Sequence, residues 1–213
     1  MKVSAFDLDH TLLSVNSSFH FGRYLFKQKQ LSALNMLRCV SAYVRHSYMG
    51  MSSMALHRTV CKALLRSIPI DQLNQHVQTF LEVNFSAMLH TPVVLRLEKA
   101  QRDGHYVAIL STSPDFLVTP IAQMLGVQVS FATQYTYDAL GRIADVHSLV
   151  EGSHKASIVN TLMARFGLAK ADITAYSDSY RDLELLEAAG TAVGVNPDKR
   201  LRRICQKRNW EIL

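Results

Sequence analysis

The sequence has few of the features that mark several protein classes. It contains three cysteines, which lack the spacing of metal ligands, so we expect free thiols in a reducing compartment. It has no run of about 20 apolar residues, which argues against a membrane span, and the few residues before Asp7 are too short for a signal peptide. Glycine-rich loops of the dinucleotide or nucleoside-triphosphate type are absent. We therefore expect a cytoplasmic protein.

What the chain does contain is an apolar fraction of 48% over 213 residues, enough for one domain, or for one domain with an inserted lobe. The net charge of +6 is concentrated between Ser14 and His90, where the acids are Asp71 and Glu82 alone. The rest of the chain is balanced in charge. A basic lobe could attract an anionic substrate or rest against an anionic surface, although solvated helix faces would carry the same charges.

The hydrophobic pattern changes along the chain. After a strand at residues 3–6, residues 14–90 have helical periodicity, and breaks near 50–53 and 67–71 divide them into about four helices. From residue 91 onward, helices alternate with short apolar runs, which predicts a parallel sheet with helices on both faces. The expected strands are 106–110, 127–131, 173–176 and 191–195, with a hairpin at 135–145. The expected helices are 93–103, one beginning at Ser113-Pro114-Asp115 with Ser113 as its capping hydroxyl, 155–166, 181–189 and 199–208.

This pattern predicts an α/β fold with a doubly wound parallel sheet, as in Rossmann-like proteins. Residues 1–13 and 91–213 form the expected core domain. Residues 14–90 form an all-helical domain inserted into it.

Polar clusters follow three of the expected strands: Asp7-Leu8-Asp9-His10-Thr11, Ser111-Thr112-Ser113 and residues 177–182. The carboxyl ends of the strands form the ligand crevice of such a sheet, so we expect these clusters to converge. Aspartates brought together there repel one another unless a cation neutralises them, and hard oxygen ligands favour Mg²⁺.

Such a site suits phosphoryl transfer. Lys155 is the candidate for a fixed cation beside the phosphoryl group, and Ser111 with the amides after it could hold a phosphate oxygen. A calcium loop at Asp7 lacks the required glycine and glutamate, because Leu12 and Ser18 occupy those positions. Acids placed there by chance are the remaining alternative.

These clusters, in this order, resemble the four motifs of the haloacid dehalogenase superfamily of phosphohydrolases, in subfamily IB, which includes phosphoserine phosphatase. The resemblance implies that Asp7 is the nucleophile, forming a covalent aspartyl-phosphate, and that Asp9 is the acid and base, with a main-chain carbonyl that also binds Mg²⁺. It implies that Ser111 and Lys155 hold the phosphoryl oxygens. The metal-binding set is then Asp7, Asp9, Asp178 and Asp182, and the helical insertion corresponds to the cap domain of this family.

Several positions bear on the substrate. Asn16 stands where phosphoserine phosphatases carry a glutamate that recognises the substrate's amino group, so phosphoserine is less favoured than another small or lipid-like anionic phosphate ester. Thr112 and His10 are further candidates for contact with the substrate or its phosphate, although a bystander role is open for His10. Ser177 replaces a glycine that relatives commonly have.

Two other functions remain open: a phosphotransferase or mutase of the same superfamily, and a non-catalytic phosphate-binding module. The intact acid pair argues against the module. We expect no nucleic-acid partner, and peripheral contact with an anionic membrane surface remains open.

Overall fold

The computed structural model describes residues 1–65 and 68–213. Over these residues the chain forms nine α-helices and a seven-stranded sheet. The strands are β1 (Val3–Phe6), β2 (Tyr106–Pro114), β3 (Val129–Tyr137), β4 (Ile143–Ser148), β5 (Ile173–Ser177), β6 (Thr191–Gly194) and β7 (Glu211–Ile212). The helices are α1 (Ser17–Lys27), α2 (Ala33–Tyr48), α3 (Ser53–Val60), α4 (Ile70–Met88), α5 (Thr91–Arg102), α6 (Asp115–Met124), α7 (Gly152–Phe166), α8 (Leu183–Ala188) and α9 (Lys199–Arg208).

The sheet has the strand order β4-β3-β2-β1-β5-β6-β7. Every neighbouring pair is parallel except β3 and β4, which form the predicted antiparallel hairpin. Strand β1 lies in the centre, with β2 on one side and β5 on the other. The chain winds outward in both directions from β1, so the predicted doubly wound α/β fold is confirmed, and the crevice at the carboxyl ends of these three strands is the expected ligand site.

Two apolar cores lie on opposite faces of the sheet, because successive side chains of a strand alternate in direction. Val3 and Ala5 of β1 belong to the core that α7, α8 and α9 cover. Phe6 belongs to the other core, which α5 and α6 share with the helices of the insertion. Both faces of the central strands are therefore buried, as a parallel sheet requires.

Helices α1 to α4 are inserted between β1 and α5. The chain enters and leaves this insertion side by side, since Leu13 and Leu89 pair as an antiparallel bridge and the Ser14 amide donates to the Met88 carbonyl at 2.8 Å. Four helices in this segment agree with the predicted number. Of the predicted break at 67–71, Ser67 lies outside the described residues.

Three local predictions were wrong. Strand β2 runs on to Pro114 instead of ending at 110, and α6 begins at Asp115 with Pro114 as its N-cap, so Ser113 does not cap the helix. The reason is tertiary: Pro114 pairs with Thr133 on β3 after an irregularity in the ladder, which keeps the segment extended. The strand expected at 127–131 and the first half of the hairpin are one strand, β3. The two-residue strand β7 was not predicted.

Among the described residues, no helix combines the length and the apolar character that crossing a bilayer requires.

Candidate active site

Asp7 follows β1 directly, at the carboxyl end of the sheet. Its amide donates to the Tyr176 carbonyl at 2.9 Å and so continues the pairing of β1 with β5, which fixes the backbone of Asp7. The residue is buried, with a side chain that is 9% exposed. The next residues form a tight turn, Leu8–Leu12, in which His10 has a left-handed backbone with φ of 60°. The turn reverses the chain immediately after the buried acid.

Lys155, in the first turns of α7, bridges two buried carboxylates. Its Nζ lies 2.6 Å from Oδ1 of Asp7 and 2.7 Å from Oδ2 of Asp182, and the side chain is 2% exposed. The Ser177 hydroxyl also donates to Oδ2 of Asp182, at 2.8 Å. These bonds join the ends of β1 and β5 to α7, so two of the predicted clusters, at Asp7 and at residues 177–182, converge with Lys155 at one point.

The charges of this cluster do not balance. Burial raises the pKa of Asp7 to about 7, against the opposing effect of Lys155. Burial, together with the charges of Asp7 and Asp182, raises the pKa of Asp178 to about 8. Burial also opposes the charge of Lys155, but Asp182 and Asp7 outweigh it and the pKa of Lys155 is raised. One ammonium group is therefore too little positive charge for the carboxylates around it.

Asp9 is held by two serines. The Ser17 amide, at the start of α1, donates to Oδ1 of Asp9 at 2.6 Å, and the Ser113 hydroxyl donates to Oδ2 at 2.5 Å. Ser18 adds a second hydroxyl, 2.7 Å from Oγ of Ser113. Sequence reasoning missed these serines as site residues. The available signal was the position of Ser113, two residues after Ser111 in the same polar cluster.

The remaining predicted site residues make different contacts. Ser111 is 1% exposed, and its hydroxyl accepts the Ser113 amide at 3.1 Å. The carbonyl of Thr112 accepts the Thr133 hydroxyl at 2.7 Å. The amide oxygen of Asn16 caps α1 by accepting the Phe19 amide at 2.8 Å. The other predicted residue, His10, is exposed in the turn.

A divalent cation fits part of the predicted ligand set. Among the described residues, no group of three or more His, Cys, Asp or Glu side chains is placed to hold one ion. Oδ2 of Asp182 accepts from both Lys155 and Ser177, and both oxygens of Asp9 accept from the serines, whereas at Asp7 the contact with Lys155 is made through Oδ1. Mg²⁺ is usually bound through one or two carboxylates and keeps several waters. Asp7 and Asp178 supply that number, and the pKa of each is raised, mainly by burial and further by the neighbouring carboxylates.

The helical insertion touches the core beside this site. Arg181, between Asp178 and Asp182, contacts Nε2 of His46 in α2, and its guanidinium donates to the His46 carbonyl at 3.3 Å. On the other side, Nδ1 of His57 in α3 lies 2.6 Å from the Tyr135 hydroxyl of β3. The insertion is thus fixed to the core on two sides of the crevice.

Comparison with known proteins finds a family and several relatives that this chain resembles. A sequence model of the haloacid dehalogenase-like hydrolases matches residues 5–187, a range that includes the acids of the site and Lys155. A phosphoserine phosphatase of Mycobacterium tuberculosis is 29% identical over 97% of this chain and 68% of that protein. A histidinol-phosphatase of Neisseria meningitidis is 24% identical over 100% of this chain and 98% of that protein. The solved structure of a protein of unknown function from Bordetella pertussis superposes with a TM-score of 0.88 at 26% identity, covering 99% of this chain and 97% of that one.

Proposed function

The chain belongs to the haloacid dehalogenase-like hydrolases, as one of their phosphatases, and from this premise we propose that it hydrolyses a phosphomonoester through an aspartyl-phosphate formed on Asp7. The observation that carries this proposal is the buried bridge from Lys155 to Asp7 and Asp182. It fixes a cation at the nucleophile, where negative charge develops on the phosphoryl oxygens.

In the first step, an Oδ atom of Asp7 attacks phosphorus and the bond from phosphorus to the substrate oxygen breaks. Protonated Asp9 gives its proton to the departing alkoxide. In the second step, Asp9 takes a proton from water, the water oxygen attacks phosphorus, and the bond to Asp7 breaks. Inorganic phosphate leaves and both aspartates return to their starting states. Lys155 and Ser111 hold the phosphoryl oxygens in both steps.

Mg²⁺ is the proposed cofactor, held by Asp7, Asp178 and the main-chain carbonyl of Asp9. When bound, it polarises the phosphoryl group and offsets the carboxylate charge. Asp182 keeps Lys155 in place through the 2.7 Å contact and so acts beside the metal site.

We propose that residues 14–90 are a cap domain that selects the leaving group. The Ser17 amide, which belongs to this segment, binds Asp9, so the position of the cap and the orientation of the acid and base are linked. The proposed substrate is a small anionic phosphate ester. The relatives are named for phosphoserine and for histidinol phosphate, so the leaving group varies among them. We keep phosphoserine as less favoured because Asn16, which caps α1, offers no carboxylate to its amino group.

The test is phosphate release from a panel of phosphorylated amino acids, sugars, nucleotides and lipids, with Mg²⁺ and with EDTA. We expect Mg²⁺-dependent release that Asp7→Asn abolishes, and a borohydride-trapped label on Asp7 of the wild type. The matched control is Asp103→Asn, which removes an exposed aspartate on the core and should leave activity unchanged. Isomerised product with little phosphate release would indicate a mutase instead. Wild type as inactive as Asp7→Asn on every ester would contradict an enzymatic role.

A further inference from the structure

Helix α2 exposes most of its apolar side chains. Of its described side chains, Ala42 is the one buried hydrophobic group. Leu37 is 64% exposed and Tyr48 is 85% exposed. A contiguous apolar surface of this kind on a soluble domain marks a site of contact with a partner or a membrane.

The exposed groups share one side of the helix. With 100° of rotation per residue, positions 34, 37, 44 and 48 fall within an arc of about 80°. Arg38 and Arg45 lie beside this arc, within about 40° of its edge. Met49, exposed at the end of the helix, extends it. We name this the α2 surface; it consists of Leu34, Leu37, Arg38, Val44, Arg45, Tyr48 and Met49.

The segment of the chain that carries the α2 surface has lysine and arginine as its charged residues. The sequence contains no aspartate or glutamate between His10 and Ile70, whereas the same stretch has eight lysines and arginines. Beside α2 lies a groove of about 500 Å³, lined by Arg38, Arg45 and Lys62 and by no acidic side chain. Asp145 of β4, which lies near Lys62 of this groove, is held by Arg58 at 3.1 Å.

These observations favour an anionic bilayer over a second copy of the chain as the partner of the α2 surface. A second copy of the chain, related by a two-fold axis, would bring the arginines of one α2 surface against those of the other, which is unfavourable. A bilayer that contains anionic lipid offers negative charge at its surface and an apolar region just below it. Both features complement the α2 surface, because arginine side chains can stay in the headgroup layer while leucine and tyrosine enter the boundary.

We propose that the α2 surface binds peripherally to anionic membranes, with lipid phosphate groups in the groove between Arg38, Arg45 and Lys62. The proposal concerns where the protein rests and does not depend on the proposed activity or its substrate. The bound helix lies in the plane of the interface and does not cross the bilayer.

The test is co-sedimentation of the full chain with phosphatidylcholine vesicles, with or without about 30% phosphatidylglycerol. We expect binding to the anionic vesicles, and loss of that binding at about 0.5 M NaCl, where charges are screened within a few ångströms. The double variant Arg38→Glu/Arg45→Glu should bind at least about tenfold more weakly, since each basic residue near an anionic surface adds to the attraction.

Matched controls separate this surface from the overall charge. Arg202→Glu/Arg203→Glu makes the same change of charge on exposed positions of α9 and should reduce binding much less. Leu37→Ser/Val44→Ser should also weaken binding, whereas Leu95→Ser, at an exposed position of α5, should not. Melting curves and phosphatase activity on a small ester should be unchanged in the α2 variants.

Three results would overturn the proposal. One is the absence of vesicle binding at low salt. A second is equal weakening by the α2 and α9 charge variants, which would mean unspecific attraction. The third is dimerisation in solution that Leu37→Ser/Val44→Ser abolishes, which would assign the surface to a second copy.

Discussion

The Ser113 hydroxyl donates a 2.5 Å hydrogen bond to Oδ2 of Asp9, the proposed acid and base. Ser113 stands at the end of β2, and its own amide donates to Ser111, so the hydroxyl is held by the backbone of the strand. With the Ser17 amide on Oδ1, the carboxylate is oriented from both sides. Ser113 is therefore a positioning residue, acting on the reaction through Asp9.

Replacing Ser113 by alanine removes one of the two donors to Asp9. We expect kcat to fall by about tenfold or more, with KM little changed, because a loosely held acid transfers its proton less often. Steady-state kinetics that separate kcat from KM provide the measurement.

Ser18→Ala is the control for this variant. Ser18 contacts Oγ of Ser113 at 2.7 Å and makes no hydrogen bond to Asp9, so its loss should lower kcat less. Equal effects of both substitutions would mean that the serine cluster has a packing role alone.

Lys155→Met tests the buried bridge. The substitution keeps the length of the side chain and removes its charge, leaving Asp7 and Asp182 unpaired in a buried site. We expect activity to fall by about 10²- to 10³-fold, the range for loss of one fixed donor to a reacting oxyanion. Stability should fall as well, by roughly 3 to 5 kcal/mol for a broken buried pair.

The loss of stability in Lys155→Met should depend on pH. Without the ammonium group, protonation of Asp7 relieves the repulsion, so the variant should be closer to wild type at pH 5 than at pH 8. Chemical denaturation at the two values, without added Mg²⁺, measures the difference. A loss independent of pH would contradict the electrostatic role assigned to Lys155.

The convergence of Asp7 and Asp182 could be predicted from the sequence, because each follows a strand with a clear apolar pattern and parallel strands end at one edge. Lys155, at the start of a helix, was predicted as the fixed cation beside them. Helix α9 was predicted with its observed bounds, and the structure adds Asp198 as its N-cap. Local rules failed at Ser113. A hydroxyl followed by proline and an acid is typical of a helix start, but the pairing of Pro114 with Thr133 and the bond to Asp9 are tertiary contacts.

The exposure of α2 could not be predicted either. Its apolar residues have helical spacing, which indicates a buried face, and the sequence contains no signal for which helices of the insertion pack against the sheet. Leu73 and Phe80 of α4 are fully or almost fully buried, whereas Leu34 of α2, which also has helical spacing to Leu37, is 58% exposed. Periodicity shows that a helix has an apolar side. It does not show what covers that side.

Asp178→Asn should stabilise the protein in the absence of metal. The pKa of Asp178 is raised from 3.8 to about 8, mainly by burial, so the folded state binds more protons than the unfolded state between these values. Stability therefore falls as pH rises through this window. The melting temperature of Asp178→Asn should exceed that of wild type at pH 8, and the gap should close toward pH 4.

Addition of Mg²⁺ at pH 8 should give wild type the higher melting temperature of the two. The ion stabilises wild type by binding to its ionised carboxylates, and the variant lacks one of these ligands. Differential scanning calorimetry with Mg²⁺ and with EDTA measures both effects. If Mg²⁺ raises the melting temperature of both proteins equally, Asp178 is not a ligand.

The burial of His57 at its contact with Tyr135 predicts that stability depends on pH in the opposite direction. Burial, with a smaller effect of nearby His46, lowers the pKa of His57 from 6.5 to about 4. The unfolded state then binds more protons than the folded state between these values, so this contribution to stability is lost as pH falls from 6.5 to 4. Because His57 lies on the inserted helices and Tyr135 on the sheet, we expect acid to loosen the attachment of the insertion first.

His57→Gln, which keeps a polar group beside the Tyr135 hydroxyl without titrating, should lose less stability over this range than wild type. Hydrogen exchange of α3 at pH 4.5 and 6.5 locates the change, and equal pH dependence in the two proteins would show that His57 does not control it.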